Sequence, residues 1–357
     1  MLKKIIIGIC IIVVIVIGGA FIWYNSSIGE VNKNDTEEIN VEIEKGLGSV
    51  AIAKQLKNQN LIKNVLAFRI YVKINNINNF KAGNYKLSKS MNLKEITEIL
   101  QTGVIENKDE IEITFVEGKN MRWIAKKISE ETKNTENDVY NLLKNEEYID
   151  TLIDKYWFIT EEIKNSNIYY PLEGYLFPDT YRFENKNISV EKIFETLLNQ
   201  MDKKLSQYKE KIQKSKYSVH QILTVASIIE NEAVFDKDRK DVASVIYNRL
   251  DKKMSIGSDV TTYYAFKIDM GSRDLRTSEL NKENPYNTRG PNMEGKLPVG
   301  PISMVGLSSI QAAVSPNETS YLYFVADKDG NVYFTRTYNE HLNKVSDLKK
   351  SGLWIEF

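Results

Sequence analysis

The spacing of apolar residues along this chain changes several times, and each change marks a predicted element. From Ile5 to Tyr24 the run IIIGICIIVVIVIGGAFIWY carries no charge. About 20 residues rising about 1.5 Å each reach across roughly 30 Å of hydrocarbon, which predicts a membrane-spanning helix. Lys3 and Lys4 precede the run, whereas the stretch after it holds only Lys33 among Glu30, Asp35, Glu37 and Glu38. The positive-inside rule then leaves the N-terminus in the cytoplasm and the body of the chain outside the cell membrane. A cleaved signal peptide is the competing reading, because Gly18, Gly19 and Ala20 follow the apolar core, but bulky Phe21, Trp23 and Tyr24 make a poor processing site. Residues 25–39 are polar and without periodicity and read as a tether.

Alternation begins at Val41-Glu-Ile43-Glu, which predicts a strand. Gly46 ends it, and Ser49 stands as N-cap before the helically spaced Val50, Ile52, Ala53 and Leu56. The same pattern returns 72 positions on, where Ile113, Phe115, Gly118, Ile124, Ala125, Lys126 and Ile128 match Val41, Ile43, Gly46, Ile52, Ala53, Lys54 and Leu56. A strand, glycine turn and helix used twice is consistent with an internal duplication or with shared packing needs. Between the copies, residues 82–87 read as a strand and Asn92 to Gln101 as a helix closed by Gly103. Further on, residues 134–157 are helical in spacing, and residues 169–181 form an aromatic-rich loop or broken strand containing Glu173 and Asp179. Residues 189–213 predict one long charged amphipathic helix. Asn284 to Pro316 holds five prolines and four glycines and reads as a shaped loop ending in a short helix from Ser308. Tyr321–Ala326 and Val332–Thr335 flank Asp-Lys-Asp-Gly-Asn, a hairpin signal, and a last helix carries His341.

The stretch from Ser218 to Asp259 is the least ordinary. Ile222, Leu223, Val225, Ala226, Ile228 and Ile229 cover more than one face of a helix, as in a helix buried on most sides, and Glu230 stands at its end. Desolvation of a carboxyl there raises its proton affinity, the property a general acid needs near neutral pH. Glu232 lies two residues on, about 200° around the helix, so the two carboxylates cannot share a face. Glu230 is thus a candidate acid, the alternative being that it begins the solvated end of a core helix, and Glu232 reads as a structural or solvated residue.

Composition narrows the chemistry. The 357 residues are 42% hydrophobic and 10% aromatic, enough for two to three domains with real cores, and Lys plus Arg equals Asp plus Glu at 48 each. No basic stripe points to nucleic acid. One cysteine, Cys10, and two histidines, His220 and His341, provide neither a disulfide framework nor a zinc constellation, so no cofactor is expected and chemistry falls to carboxylates, hydroxyls and amides. Three Ser-x-x-Lys matches, starting at Ser189, Ser206 and Ser346, lie on lysine-rich helical surface and read as chance.

An ordered series of motifs resembles the YceG-like endolytic murein transglycosylases. It comprises Glu173-Gly-Tyr-Leu-Phe-Pro-Asp-Thr-Tyr181, Ala226-Ser-Ile-Ile-Glu230-Asn-Glu232, Val242 to Leu250, Ser258-Asp259, Pro285-Tyr-Asn-Thr288, Leu297-Pro-Val-Gly-Pro-Ile302, Tyr321 to Ala326 and Glu340-His341. The resemblance implies an α+β chain: an N-terminal transmembrane helix (1–24), a linker (25–39), a LysM-like module (40–110) and a catalytic domain (111–357). It implies an enzyme that breaks the bond between N-acetylmuramic acid and N-acetylglucosamine in peptidoglycan, leaving a 1,6-anhydro end. Glu230 would be the catalytic residue, with Glu173, Asn248, Arg249 and Asp259 as candidates for binding substrate or tuning it. Implied partners are glycan strands, the cell membrane and wall synthases such as penicillin-binding proteins. The family's Gln and Pro around Ser258-Asp259 are here Gly257 and Val260, which leaves a contact from the residue before Ser258 in doubt. A non-catalytic wall-binding scaffold, and an inverting hydrolase pairing Glu230 with Asp259 or Glu173, are the rival readings.

Overall fold

Apolar residues repeating every second position need a partner strand, and those repeating every third or fourth need a helix packed on a sheet or on other helices. The computed structural model, which describes residues 2–102 and 110–354, meets both needs within two compact units, Met1–Lys108 and Asp109–Phe357. Side chains of residues 2–11, 13 and 14 lie outside the described set.

The first unit runs α1 (Leu2–Ile28), β1 (Ile39–Ile43), α2 (Ser49–Asn58), α3 (Val65–Ile74), β2 (Gly83–Leu87) and α4 (Leu93–Thr102). Among the described residues no helix is long and apolar enough to cross a membrane, and residues 5–11, 13 and 14 of the expected span fall outside those whose side chains are described. The strands β1 and β2 pair antiparallel with Val41 opposite Tyr85. Their alternate residues Val41, Ile43, Tyr85 and Leu87 turn inward onto Ile52, Leu56, Phe68 and Ile96, which is the burial that the period-two pattern predicts. One expected detail is corrected. Gly48, not Ser49, occupies the cap of α2, and no side chain caps that helix, because Ser49 is already its first residue. The expected stop at Gly103 lies outside the described residues.

The second unit begins with β3 (Ile111–Thr114), α5 (Met121–Glu131), α6 (Glu136–Leu143), α7 (Glu146–Lys155), β4 (Thr180–Phe183), α8 (Val190–Leu205) and α9 (Lys209–Lys214). It continues with α10 (Val219–Glu232), α11 (Asp236–Asp251), α12 (Asp259–Ala265), α13 (Thr277–Leu280), α14 (Leu307–Val314), β5 (Tyr323–Ala326), β6 (Val332–Thr335) and α15 (Tyr338–Lys350). Helices with three small two-stranded antiparallel sheets among the described residues, one in the first unit and two in the second, make a mixed α/β fold. The stretch read as one helical run over 134–157 is two helices, because the Asn145 side chain accepts the Tyr148 N–H and starts a new one. The predicted long helix over 189–213 likewise breaks after Leu205 into a 3-10 turn and α9.

At the centre of this unit is α10. Ser218 and Gln221 form a reciprocal capping box at its start, and every residue from Ile222 to Ile229 is buried. It packs against α14, α11 and α12, so its two ends are fixed from several sides. His220 adds a tie. Its Nε2 is 2.9 Å from the Val299 carbonyl, which can only accept, so Nε2 carries the proton and Nδ1 accepts from the Tyr175 hydroxyl at 2.7 Å. Burial pushes the proton affinity of His220 down, in keeping with a neutral ring. The shaped loop is thereby tied to the first turn of α10. Gly174 meets the same loop more tightly: it has φ +78°, and a Cβ there would run into the Pro301 ring.

Candidate active site

The 200° between Glu230 and Glu232 sends their side chains to opposite sides of α10, and the two sides are chemically different. Glu230 points to the protein interior. Its Oε1 accepts from Arg239 Nη1 at 3.0 Å, and its Oε2 accepts the Gly306 N–H at 2.8 Å at the start of α14. The side chains of Glu230 and Arg239 are only 4% and 8% exposed, which makes this a buried ion pair. Arg239 is further held by Ser309 and by Asp236, whose Oδ1 is 3.2 Å from its Nε. Both Glu230 oxygens are thus taken by donors, and the residue is not part of the lining of the cavities of about 350, 550 and 1080 Å³ near this helix end. The carboxyl of Glu117 packs against Gly306 on the other side; burial raises its proton affinity, and the charge of Glu230 adds to that.

Glu232 faces a cleft. It lines both a cavity of about 350 Å³ and a larger, open one of about 1080 Å³, which share Asp259, Ala326 and Trp354. Ser258 Oγ donates to Glu232 Oε1 at 2.5 Å. Burial pushes the proton affinity of Glu232 up and nearby Asp259 adds to that, while the Ser258 hydrogen bond, Arg289 and Arg249 pull the other way. Ser258 itself is fixed. Its N–H donates to Thr288 Oγ1 at 3.0 Å, its carbonyl accepts from Thr261 Oγ1 at 2.7 Å, and the two threonine hydroxyls lie 2.8 Å apart, all buried. Gly257, with φ +63°, makes the turn that aims the serine at the helix end.

The sequence reading takes Glu230 as the acid; in the fold its two oxygens are held by Arg239 and the Gly306 N–H, whereas Glu232 borders the cleft. The other candidates divide. Asp259, the first residue of α12, borders both cavities beside Glu232 and is paired with Arg289. Arg249 borders the smaller cavity, donating to the carbonyls of Leu322, Ser255 and Ile256 while its guanidinium sits 4.9 Å from the Tyr323 ring centre. Asn248 donates to the carbonyls of Thr319 and Tyr321 at 2.9 and 3.0 Å, anchoring the segment before β5.

Glu173 is wholly enclosed. Its Oε2 accepts from the Met121 N–H and the Tyr264 hydroxyl, both at 2.9 Å, and Oε1 has no partner. Burial pushes its pKa up to about 8, against the pull of Met121, Tyr264 and Arg122, so the carboxyl is protonated at neutral pH. It supports the cleft wall, because Tyr264 lines an adjoining cavity of about 550 Å³. Ser258 and Arg289 were not singled out from the sequence as functional. Ser258 stood inside a quoted motif, and Arg289 follows one directly, so position in the ordered series was the available signal. Among the described residues no group of three or more His, Cys, Asp or Glu could hold a metal ion.

A YceG-like family model matches residues 41–347. The chain is 39% identical over 336 residues to the endolytic murein transglycosylase of Bacillus subtilis (strain 168), covering 93% of this chain and 91% of that protein. It is 28% identical over 368 residues to the endolytic murein transglycosylase of Streptococcus pneumoniae (strain D39), of whose length the match spans 66%. A crystal structure of a yceG-like protein from Listeria monocytogenes superimposes with a TM-score of 0.61 at 38% identity, covering 86% of this chain and 99% of that one.

Proposed function

The chain belongs to the YceG-like family, and from that premise we propose that it is a lytic transglycosylase of peptidoglycan, with Glu232 as acid and then base. One observation carries the assignment of the residue: Glu232 is the carboxyl of α10 that combines a raised proton affinity, a fixed hydroxyl partner and an open cleft. Protonated Glu232 donates to the oxygen linking the muramyl C1 to N-acetylglucosamine, and that C–O bond breaks while the muramyl acetamido group steadies the anomeric carbon. The carboxylate so formed takes the proton of the muramyl C6 hydroxyl. O6 then bonds to C1, closing the 1,6-anhydro ring, and no water is consumed. One carboxyl serves both steps, so the carboxylate pair of an ordinary glycosidase is not required.

The uncharged run 5–24 anchors the chain in the cell membrane with the body outside, supported by its length and flanking lysines. The β1-α2-α3-β2 unit is a LysM-like module that holds glycan, supported by its antiparallel strand pair and buried alternate residues. Wall synthases are the partners, supported only by the shared substrate.

Digestion of purified peptidoglycan with the wild-type protein and with Glu232→Gln and Glu230→Gln, followed by mass spectrometry of the fragments, tests the proposal. Anhydro-muramyl ends are expected from wild type and none from Glu232→Gln. Reducing muramyl ends would make the protein a hydrolase, with Asp259 as the second carboxylate. Absence of any fragments from wild type would leave the non-catalytic scaffold.

A further inference from the structure

Beside the acid-bearing cleft lies the second cavity, of about 550 Å³, walled by Lys119, Trp123 and Lys126 of the α5 region. The two spaces adjoin, since Asn231, Val260, Tyr263 and Met270 border both, and Asn231 immediately precedes Glu232. Their charges are opposite in character. Around the main cleft stand Glu232, Asp259, Asp274, Asp327 and Asp329 against Lys328, with Asp259 already paired to Arg289. The side cavity has Lys119, Arg122 and Lys126 against Glu136 and Asp269, and Asp269 is already taken by Arg122 at 3.1 Å. Lys126 has only an exposed glutamate, Glu130, 3.8 Å away, a pair of little worth, and Lys119 has no side-chain partner among the described residues. The lysines' backbone is fixed all the same. Lys119 O accepts from the Met304 N–H at 2.8 Å, and the Gly118 N–H donates to Met304 O at 3.0 Å, so this edge is tied to the shaped loop.

Resting on the transglycosylase reading, we propose that this side cavity is a recognition site for the anionic peptide arm carried by the muramyl sugar at the scissile bond. A glycan strand is uncharged along its rings, and its carboxylates lie on the substituents that branch from every second sugar. An acidic arm leaving a sugar seated at Glu232 is repelled by the carboxylates of the main cleft and drawn into the branch with spare ammonium groups. The volume lies within the range of small-ligand sites, and the face of Trp123 offers an apolar wall for the uncharged part of the peptide. The cavity therefore discriminates between strands that still carry peptides and strands from which they have been removed.

The test uses the full-length protein in detergent and two substrates: glycan strands with intact stem peptides, and the same strands stripped by an amidase. Wild type should cleave the peptide-bearing strands with a kcat/KM about tenfold higher, a preference that weakens as salt is raised. In the Lys119→Glu/Lys126→Glu variant the ratio of the two rates should collapse towards equality, with the stripped strands as the internal reference. Trp123→Phe, which keeps an apolar wall, should retain the preference. Equal turnover of both substrates by wild type, or a double variant that slows on both in the same proportion, overturns the inference while leaving the transglycosylase reading intact. No turnover of either substrate by wild type overturns both.

Discussion

Replacing Glu173 with glutamine should make the second unit more resistant to alkaline unfolding. The carboxyl is enclosed, accepts two hydrogen bonds on Oε2, and leaves Oε1 bare, an arrangement suited to a neutral acid whose O–H sits at Oε1. Its pKa is about 8 in the folded chain against 4.5 for the free group. The folded state therefore keeps a proton that the unfolded chain has lost, and the stability associated with it is complete below pH 4.5 and declines as pH rises through 8. At about 1.4 kcal/mol per pH unit, the loss over that interval is on the order of 5 kcal/mol. Glutamine mimics the protonated form and does not titrate. Urea unfolding of both proteins at pH 5, 7 and 9, followed by tryptophan fluorescence, should show their difference growing in favour of Glu173→Gln by several kcal/mol from pH 5 to 9. Other groups with raised proton affinity, Glu117 and Glu232, are common to both proteins and cancel in that difference. A gap between the two that does not change with pH would refute the reasoning, since it would mean that Glu173 enters the folded state ionised.

The two carboxylates of α10 should separate cleanly in the same kind of comparison. Glu232→Gln is expected to lower cleavage by about 10²- to 10⁴-fold with melting unchanged, whereas Glu230→Gln, which leaves buried Arg239 with only the exposed Asp236 as counter-charge, should cost about 3 kcal/mol of stability. Denaturation curves beside muropeptide yields decide between them. Ser258→Ala should slow turnover by roughly tenfold and move the alkaline limb of the rate upward, because the lost hydrogen bond had favoured ionised Glu232; Ser258→Thr should restore both. Gly174→Ala, at φ +78° and against Pro301, should destabilise by about 1–3 kcal/mol, read from the thermal midpoint.

Local order was legible in the chain wherever periodicity was strong. Strands at Val41 and Ile113, the buried α10 and the β5–β6 hairpin all follow from spacing and turn residues. Helix breaks at Asn145 and after Leu205 were less so, since a capping side chain competes with a continuing apolar stripe and spacing does not weigh the two. The candidate site was legible as far as the last turn of α10. Geometry established from sequence that Glu230 and Glu232 face opposite ways, but which way leads to the cleft depends on Arg239, nine positions on, and on Gly306, seventy-six positions on. Hydrophobicity at the helix end could not reveal an ion pair formed by tertiary packing. Arg289 and Ser258 were hidden for the same reason, because a hydroxyl or guanidinium gains its role from the atom it meets.

The buried pair behind α10 has a consequence for how tightly the reacting atoms are confined. A glutamate on the last turn of a helix would ordinarily swing with the fraying of that turn. Here Arg239 and the Gly306 amide grip the turn from the rear, one residue before Asn231 and two before Glu232. The front carboxyl inherits a mounting that does not fray, and its remaining freedom, rotation about its own side chain, is checked by the Ser258 hydroxyl. Restriction of this kind is settled during folding, before a sugar arrives, so the encounter with substrate need not bear that share of the ordering entropy. A loosened grip at Arg239 would then register as a wider angular spread of a group some distance away, and as slower chemistry in a protein whose cleft looks untouched.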